Sequence, residues 1–178
     1  MKLNSGKSNI ETDTLYYDAP KSQAHFKGPT TIVTNGDVVK TQDGYFDTKK
    51  DKVELFSRST ITSKEKVITG DTLYRDKKTG IGQGYGNVIY VDKKNKNELH
   101  ADVFVYNEKT GKGFATKKAL LKDYSQGDTL FMHADSLKIE TMHINTDSAY
   151  RKVHAFRHVV AYRKDVQAIC DSLVANGK

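Results

Sequence analysis

Tryptophan is absent from this chain of 178 residues, cysteine occurs once and proline twice. With Cys170 alone, neither an intrachain disulfide nor a cysteine-based metal site can form, and the compartment is left open. Long apolar runs are missing as well. No stretch approaches the ~20 residues of a membrane-spanning helix. No dozen residues keep an apolar i, i+3, i+4, i+7 pattern, so helix signals are weak. Lys164–Ala175 comes nearest to one, but Val166, Ala168 and Cys170 alternate and the segment reads as a strand. Met1–Lys7 lacks the apolar stretch of a secretory signal; a signal removed beforehand would leave the same start. Residues 1–9 are expected to be a disordered tail, and residues 10–178 a single repeat domain.

Signatures of catalysis and of metal or nucleotide binding are also lacking. There is no Gly-x-Ser-x-Gly elbow. The glycine-rich Gly80–Gly86 run lacks the Gly-Lys-Ser/Thr ending of a phosphate loop and a following helix. His154 and His158 would stand ~13 Å apart along a strand, too far to share a metal. A glycosidase needs one pair of carboxylates, whereas the prominent aspartates here are repeated. No enzyme activity, cofactor or metal is expected.

Hydrophobic residues make up 37% and charged residues 29% of the chain, with ten tyrosines and seven phenylalanines. So many aromatics argue against disorder, and the balance suits a thin, solvent-rich sheet. The net charge of +7 favours anionic partners or serves solubility. The lysines cluster in turn-like segments such as Lys49–Lys52, Lys77–Lys78 and Lys93–Lys96, among Asp, Asn and Gly.

The chain is organised by a repeat. An aspartate followed by apolar or aromatic residues recurs at Asp13, Asp43, Asp71, Asp102 and Asp135, and a sixth copy at Asp171 is cut short by the C-terminus. The spacings are 30, 28, 31, 33 and 36 residues. A fixed period of this size marks stacked copies of one supersecondary unit sharing an elongated core. Each unit reads as three short strands, the first being the aspartate motif, with a polar hairpin turn before the second. The aspartates suit a structural, strand-start role. A propeller needs four strands and ~40–50 residues per blade. A parallel β-helix does not fit turns this long and polar. A rolled, antiparallel sheet of stacked repeats remains.

The motif string resembles the OstA/LptA family of lipopolysaccharide-transport proteins. The likeness is carried by the Asp-Thr-Leu-Tyr units at Asp13 and Asp71, by Gly84–Tyr90 and by His133–Leu137, and extends from about Ile10 to Val174. It implies an all-β fold, a β-jellyroll folded over like a taco shell, with an apolar interior groove for lipopolysaccharide acyl chains. It also implies a periplasmic protein that passes lipopolysaccharide towards the outer membrane. The partners it implies are other Lpt-type proteins, joined by edge-strand pairing, with head-to-tail self-association as a further option. Two segments depart from the family pattern: an insertion at Lys122–Leu130 and a polar excursion at His143–Tyr150. They suggest an OstA-like domain of a distant branch.

Period-two alternation selects the residues for such a groove. The motif strands supply Leu15, Leu73, Phe104 and Leu137 at the third position, with Tyr17, Tyr106 and Ile139 at the fifth. Phe26, Leu55 and Phe156 come from second strands and Leu120 from a third. The same residues packed against one another would make a dry core. Phosphate contacts at the mouth are assigned to Lys27, Lys117, Lys118, Arg151, Arg157 and Arg163, which lie beside expected strands. Free edges are expected near Asp13–Asp18 and Val166–Cys170, where strand addition is possible. Two other functions stay open, an adaptor built on edge pairing and a module for anionic polymers. Tyr16 and Tyr74, on the face opposite Leu15 and Leu73, suit the second, although nucleic acid is not the expected partner.

Overall fold

The turn residues and the alternation produce an antiparallel sheet in which strands adjacent in sequence pair. The computed structural model describes residues 1–177. Three short strands open the chain, β1 (Lys2–Asn4), β2 (Ser8–Glu11) and β3 (Thr14–Asp18), before the long β4 (Gln23–Thr34) and β5 (Asp37–Asp47). Four short strands follow, β6 (Lys52–Leu55), β7 (Ser59–Thr62), β8 (Lys66–Gly70) and β9 (Thr72–Asp76). Six long ones complete the sheet: β10 (Ile81–Asp92), β11 (Asn97–Asn107), β12 (Lys112–Asp123), β13 (Leu130–Met142), β14 (Tyr150–Arg163) and β15 (Val166–Gly177). Some short strands lie end to end along a long neighbour: β2 and β3 along β4, and β6 and β7 along β5. β8 and β9 lie likewise along β10.

Every row of the sheet breaks or shifts register at one level. The shifts fall between Lys27 and Thr30, Tyr85 and Val88, Thr116 and Ala119, and Phe156 and Val159. The backbone there turns left-handed, at Gly28 (φ 88°), Gly86 (φ 74°), Asn87 (φ 45°), Lys117 (φ 60°), Lys118 (φ 58°), Arg157 (φ 61°) and His158 (φ 47°). Bulges bend a strand and increase its twist. Bent along one line, the sheet folds over into two facing walls joined by a spine, a folded-over β-jellyroll with an apolar interior. The second and third strands expected in most units are therefore the two halves of one bent strand.

The repeated aspartates sit on that spine. Arg58 Nη1 donates to Asp71 Oδ1 at 2.9 Å and Asn87 Nδ2 to Oδ2 at 3.1 Å. These bonds, that of Arg58 first, hold the Asp71 carboxyl below its ordinary range. Lys118 Nζ lies 3.5 Å from Asp102, and His158 Nδ1 lies 3.0 Å from Asp135. At Gly86 a Cβ would come within 2.6 Å of Asp71 Oδ2. Each aspartate thus stands beside the bulge or break of an adjacent row, which explains the 30-residue period: one aspartate strand and one bulged strand.

Inside, two apolar clusters fill the space between the walls. The N-terminal one centres on Phe26, Ile32, Phe46, Leu55 and Leu73, and the C-terminal one runs from Val88 to Ala161. Ile68 packs against both. The walls meet directly, with the Tyr90 ring centroid 5.1 Å from that of Phe104. Towards the C-terminus the inward positions become small: Ala115, Ala119, Ala134, Ala155 and Ala161.

Three expectations are corrected by these facts. Leu120 and Phe156 do not line the interior, because the inward phase of their strands belongs to their neighbours and runs unchanged through the bulge: Gly113, Ala115, Ala119 and Leu121 on β12, and Val153, Ala155, Val159 and Ala161 on β14. Ala119 and Leu121 are buried on either side of Leu120, and Ala155 and Val159 are buried while Phe156 is exposed. Tyr17 lies opposite the buried Ala24, on the interior face, yet it is exposed because β3 is an edge strand with no further neighbour among the described residues to cover it. Residues 1–9, expected as a tail, carry β1 and the start of β2, with Leu3 paired to Ile10.

Candidate functional site

Opposite the spine, the ends of the two walls form a mouth closed by polar bridges. Arg75 Nη2 lies 2.6 Å and Lys77 Nζ 2.5 Å from Asp37 Oδ2. Burial disfavours charge on Asp37, but the Lys77 hydrogen bond and the Arg75 charge outweigh it and hold the carboxyl below its ordinary range. Further along, Arg151 Nη2 donates to Asp92 Oδ2 at 2.7 Å and Nη1 to Asn97 Oδ1 at 2.6 Å. Burial likewise opposes ionisation of Asp92, and hydrogen bonds from Asn95 together with Arg151 keep its carboxyl low.

Arg151 divides two clefts, of about 340 Å³ and 610 Å³. The smaller one has an apolar floor of Leu121, Leu130, Val153 and Ala175. Its rim carries Lys94, Lys96, Arg151 and Arg163, against the carboxylates of Asp123 and Asp128. The Arg151 side chain is 10% exposed, and its Nε has no hydrogen-bond partner among the described residues. Arg163 is shared with Asp165, Nε to Oδ1 at 2.6 Å. The larger cleft reaches Lys66, whose Nζ lies over the Tyr106 ring at 5.0 Å. Behind it, the buried Tyr90 hydroxyl lacks a partner among the described residues, and burial pushes its pKa upward.

Both segments that depart from the repeat pattern wall these clefts. Ser125, Gln126, Asp128 and Leu130 come from the 122–130 insertion on one side, and Ala149 and Tyr150 from the 143–150 excursion on the other. Arg151 and Arg163 are the two expected phosphate contacts that reach the mouth. Lys27, Lys117, Lys118 and Arg157 do not: they are exposed at or beside the bulges of the spine, away from the mouth. Phe26, Leu55, Leu73, Phe104 and Leu137 are almost wholly buried, at 0–1% exposure. Ile139 lies nearer the cleft, in register with Val153 and then Ala175. Lys94 and Lys96 were legible only as turn residues; their one signal was the lysine cluster itself. His154 and His158 have separate carboxylate partners, Glu140 and Asp135.

No protein-family model matches this sequence, and no curated protein matches it. Among solved structures, the chain is similar to the crystal structure of LptH from Pseudomonas aeruginosa, described as the LptA-homologous periplasmic component of the conserved lipopolysaccharide transport device. That similarity has a TM-score of 0.42 and 11% identity, over 74% of this chain and 73% of that one. No helix among the described residues is long and apolar enough to cross a membrane.

Proposed function

We propose that this chain holds lipopolysaccharide in the periplasm and hands it towards the outer membrane. The observation that carries the reading is the C-terminal mouth cleft, an apolar floor under a basic rim, which matches an acylated, phosphorylated lipid. The motif resemblance to the OstA/LptA family points the same way. In this reading the acyl chains enter over the cleft floor of Leu121, Leu130, Val153 and Ala175 and part the two walls of the C-terminal third, where the inward residues are small alanines. The N-terminal cluster is filled by its own Phe and Leu side chains. Each methylene removed from water contributes ~0.8 kcal/mol, so holding the lipid calls for no catalytic group. The phosphates rest on Lys94, Lys96, Arg151 and Arg163.

Hand-over requires a contact with the next carrier. The outer edge of β15 is free along all 12 residues among the described ones, and a free edge accepts a further strand. We assign that edge to other Lpt-type proteins, or to head-to-tail association with a second copy.

Photocrosslinking tests the lipid reading. A photoreactive residue replaces Leu130 in the cleft or Phe114 on the outer face, and purified lipopolysaccharide is added at low and high salt. An adduct at Leu130 that survives high salt, is absent at Phe114 and is weakened by Lys94→Glu with Lys96→Glu is the expected result. Equal labelling at both positions, or none at Leu130, overturns it; strand pairing retained without any adduct would identify an adaptor instead.

A further inference from the structure

The outer face of the N-terminal half carries a feature that the lipid reading does not use. Tyr16, His25, Tyr45, Phe56, Tyr74 and Tyr85 form an unbroken line of rings across β3, β4, β5, the end of β6, β9 and β10. Their successive centroids are 6.2, 4.4, 5.8, 6.3 and 6.1 Å apart. The rings of Phe56 and Tyr85 flank Tyr74 at 70° and 79° to its plane. Tyr16, Phe56 and Tyr85 keep 66%, 44% and 39% of their surface in water. Cross-strand aromatic pairs stabilise a sheet wherever they occur, but a row this long and this exposed is unusual for a surface with no partner.

Shape and charge restrict what can lie on it. Five strand spacings give a length of ~24 Å, and two residues along each strand give a width of ~7 Å. That is ~170 Å², far below the ~800 Å² per partner of a stable protein complex. The stripe fits a linear polymer. It is also nearly neutral: Lys52 is held by Glu54 at 2.7 Å, and Asp43 lies 3.4 Å from His25. Lys27 is the one lysine on the stripe left without a carboxylate partner among the described residues, whereas a polyanion needs a track of cations. Polar groups stand beside the rings, with the Gln83 amide 3.5 Å from the Tyr85 hydroxyl.

We propose that this stripe binds an extended, uncharged chain of equatorially linked hexopyranoses. The C–H face of each sugar stacks on an exposed ring, and its equatorial hydroxyls reach Gln83, Asp43, Glu54 and the tyrosine hydroxyls. The strand spacing is close to the rise per sugar in such a chain. The site lies on the outer face of the N-terminal half, remote from the mouth cleft, and does not depend on the lipid reading.

The test titrates cellohexaose and chitohexaose into the full chain, with binding read by saturation-transfer NMR and calorimetry. Binding of either sugar is expected, insensitive to salt. Phe56→Ala with Tyr85→Ala should weaken it roughly ten-fold. The edge variant Tyr16→Ala, which removes nothing from the core, should weaken it less. Phe114→Ala with Phe156→Ala, on the other half of the face, should leave it unchanged. Failure of the wild-type chain to bind either sugar overturns the proposal, as does unaltered binding by the stripe variants. Salt-sensitive binding of oligothymidine in place of the sugars would also overturn it and make the stripe a nucleic-acid surface.

Discussion

Arg151 and Asp92 stand 59 residues apart in sequence and 2.7 Å apart in space, one on each wall of the folded sheet. Their side chains are 10% and 1% exposed, so the pair joins the walls where the cleft opens.

Removing the cation from that pair leaves a charged carboxylate buried. Arg151→Met is therefore expected to cost ~3 kcal/mol, the lower end for a broken buried pair, because Asn95 keeps two hydrogen bonds to Asp92. Adding Asp92→Asn to Arg151→Met should restore much of the loss. Urea unfolding of the two variants and the parent checks both statements.

Acid should loosen the mouth. The carboxyls of Asp37 and Asp92 titrate below their ordinary value of 3.8 when folded. The unfolded chain thus takes up protons first as pH falls. The stabilisation is fully present above about pH 5 and is lost as pH drops below 3.8 towards the lower folded values. Melting curves should be flat with respect to these groups between neutrality and about pH 5 and fall steeply below pH 4. The Asp92→Asn, Arg151→Met chain should show a shallower acid limb; an unchanged limb would count against this source of pH dependence.

The inward phase of β12, which runs unchanged through its bulge from Ala115 to Ala119 and Leu121, can be measured on neighbouring leucines. Leu121→Ala empties a core position and should cost ~2–5 kcal/mol. Leu120→Ala, on the outer side, should cost under ~1 kcal/mol. Equal losses in chemical denaturation would place both side chains inside.

A glycine of the spine offers a fourth check. Gly86 and Gly36 both have positive φ, 74° and 83°. A Cβ on Gly86 would meet Asp71, whereas one on Gly36 would meet nothing within 4 Å. Gly36→Ala should cost only the ~1–2 kcal/mol of a left-handed residue with a side chain, and Gly86→Ala distinctly more. Similar midpoints in thermal unfolding would mean that Asp71 moves aside freely.

Much of this architecture was legible because it repeats. The aspartates fix the period, Leu73, Phe104 and Leu137 keep one face, and β3 and β15, expected as edges, each pair with a single strand among the described residues. What was hidden is the bend. Gly28 and Gly86 hint at it, but Lys117-Lys118 and Arg157-His158 adopt the same left-handed backbone without a glycine, so nothing in their side chains announces it. Leu120 and Phe156 are large outward residues beside the small inward Ala119 and Ala155, so side-chain size points to the wrong face there. The basic residues Lys117, Lys118 and Arg157 flank the bend and not the mouth. Arg151 was recognised as a contact residue, yet its partners Asp92 and Asn97 are brought to it only by the folding-over of the sheet. The two irregular segments that wall the cleft were visible as breaks in the pattern, although their facing each other was not.

The spine also sets a rule for changing the length of the molecule. Along it, rows bearing an aspartate alternate with rows bearing a bulge or break, from Asp13 to Asp171. Adding or deleting one strand would bring two carboxylates side by side and leave a bend without its counterpart. Adding or deleting a pair preserves every neighbour. The protein is therefore extensible only in double steps of ~9.6 Å, two strand spacings, in the way a tiled floor grows by whole tiles.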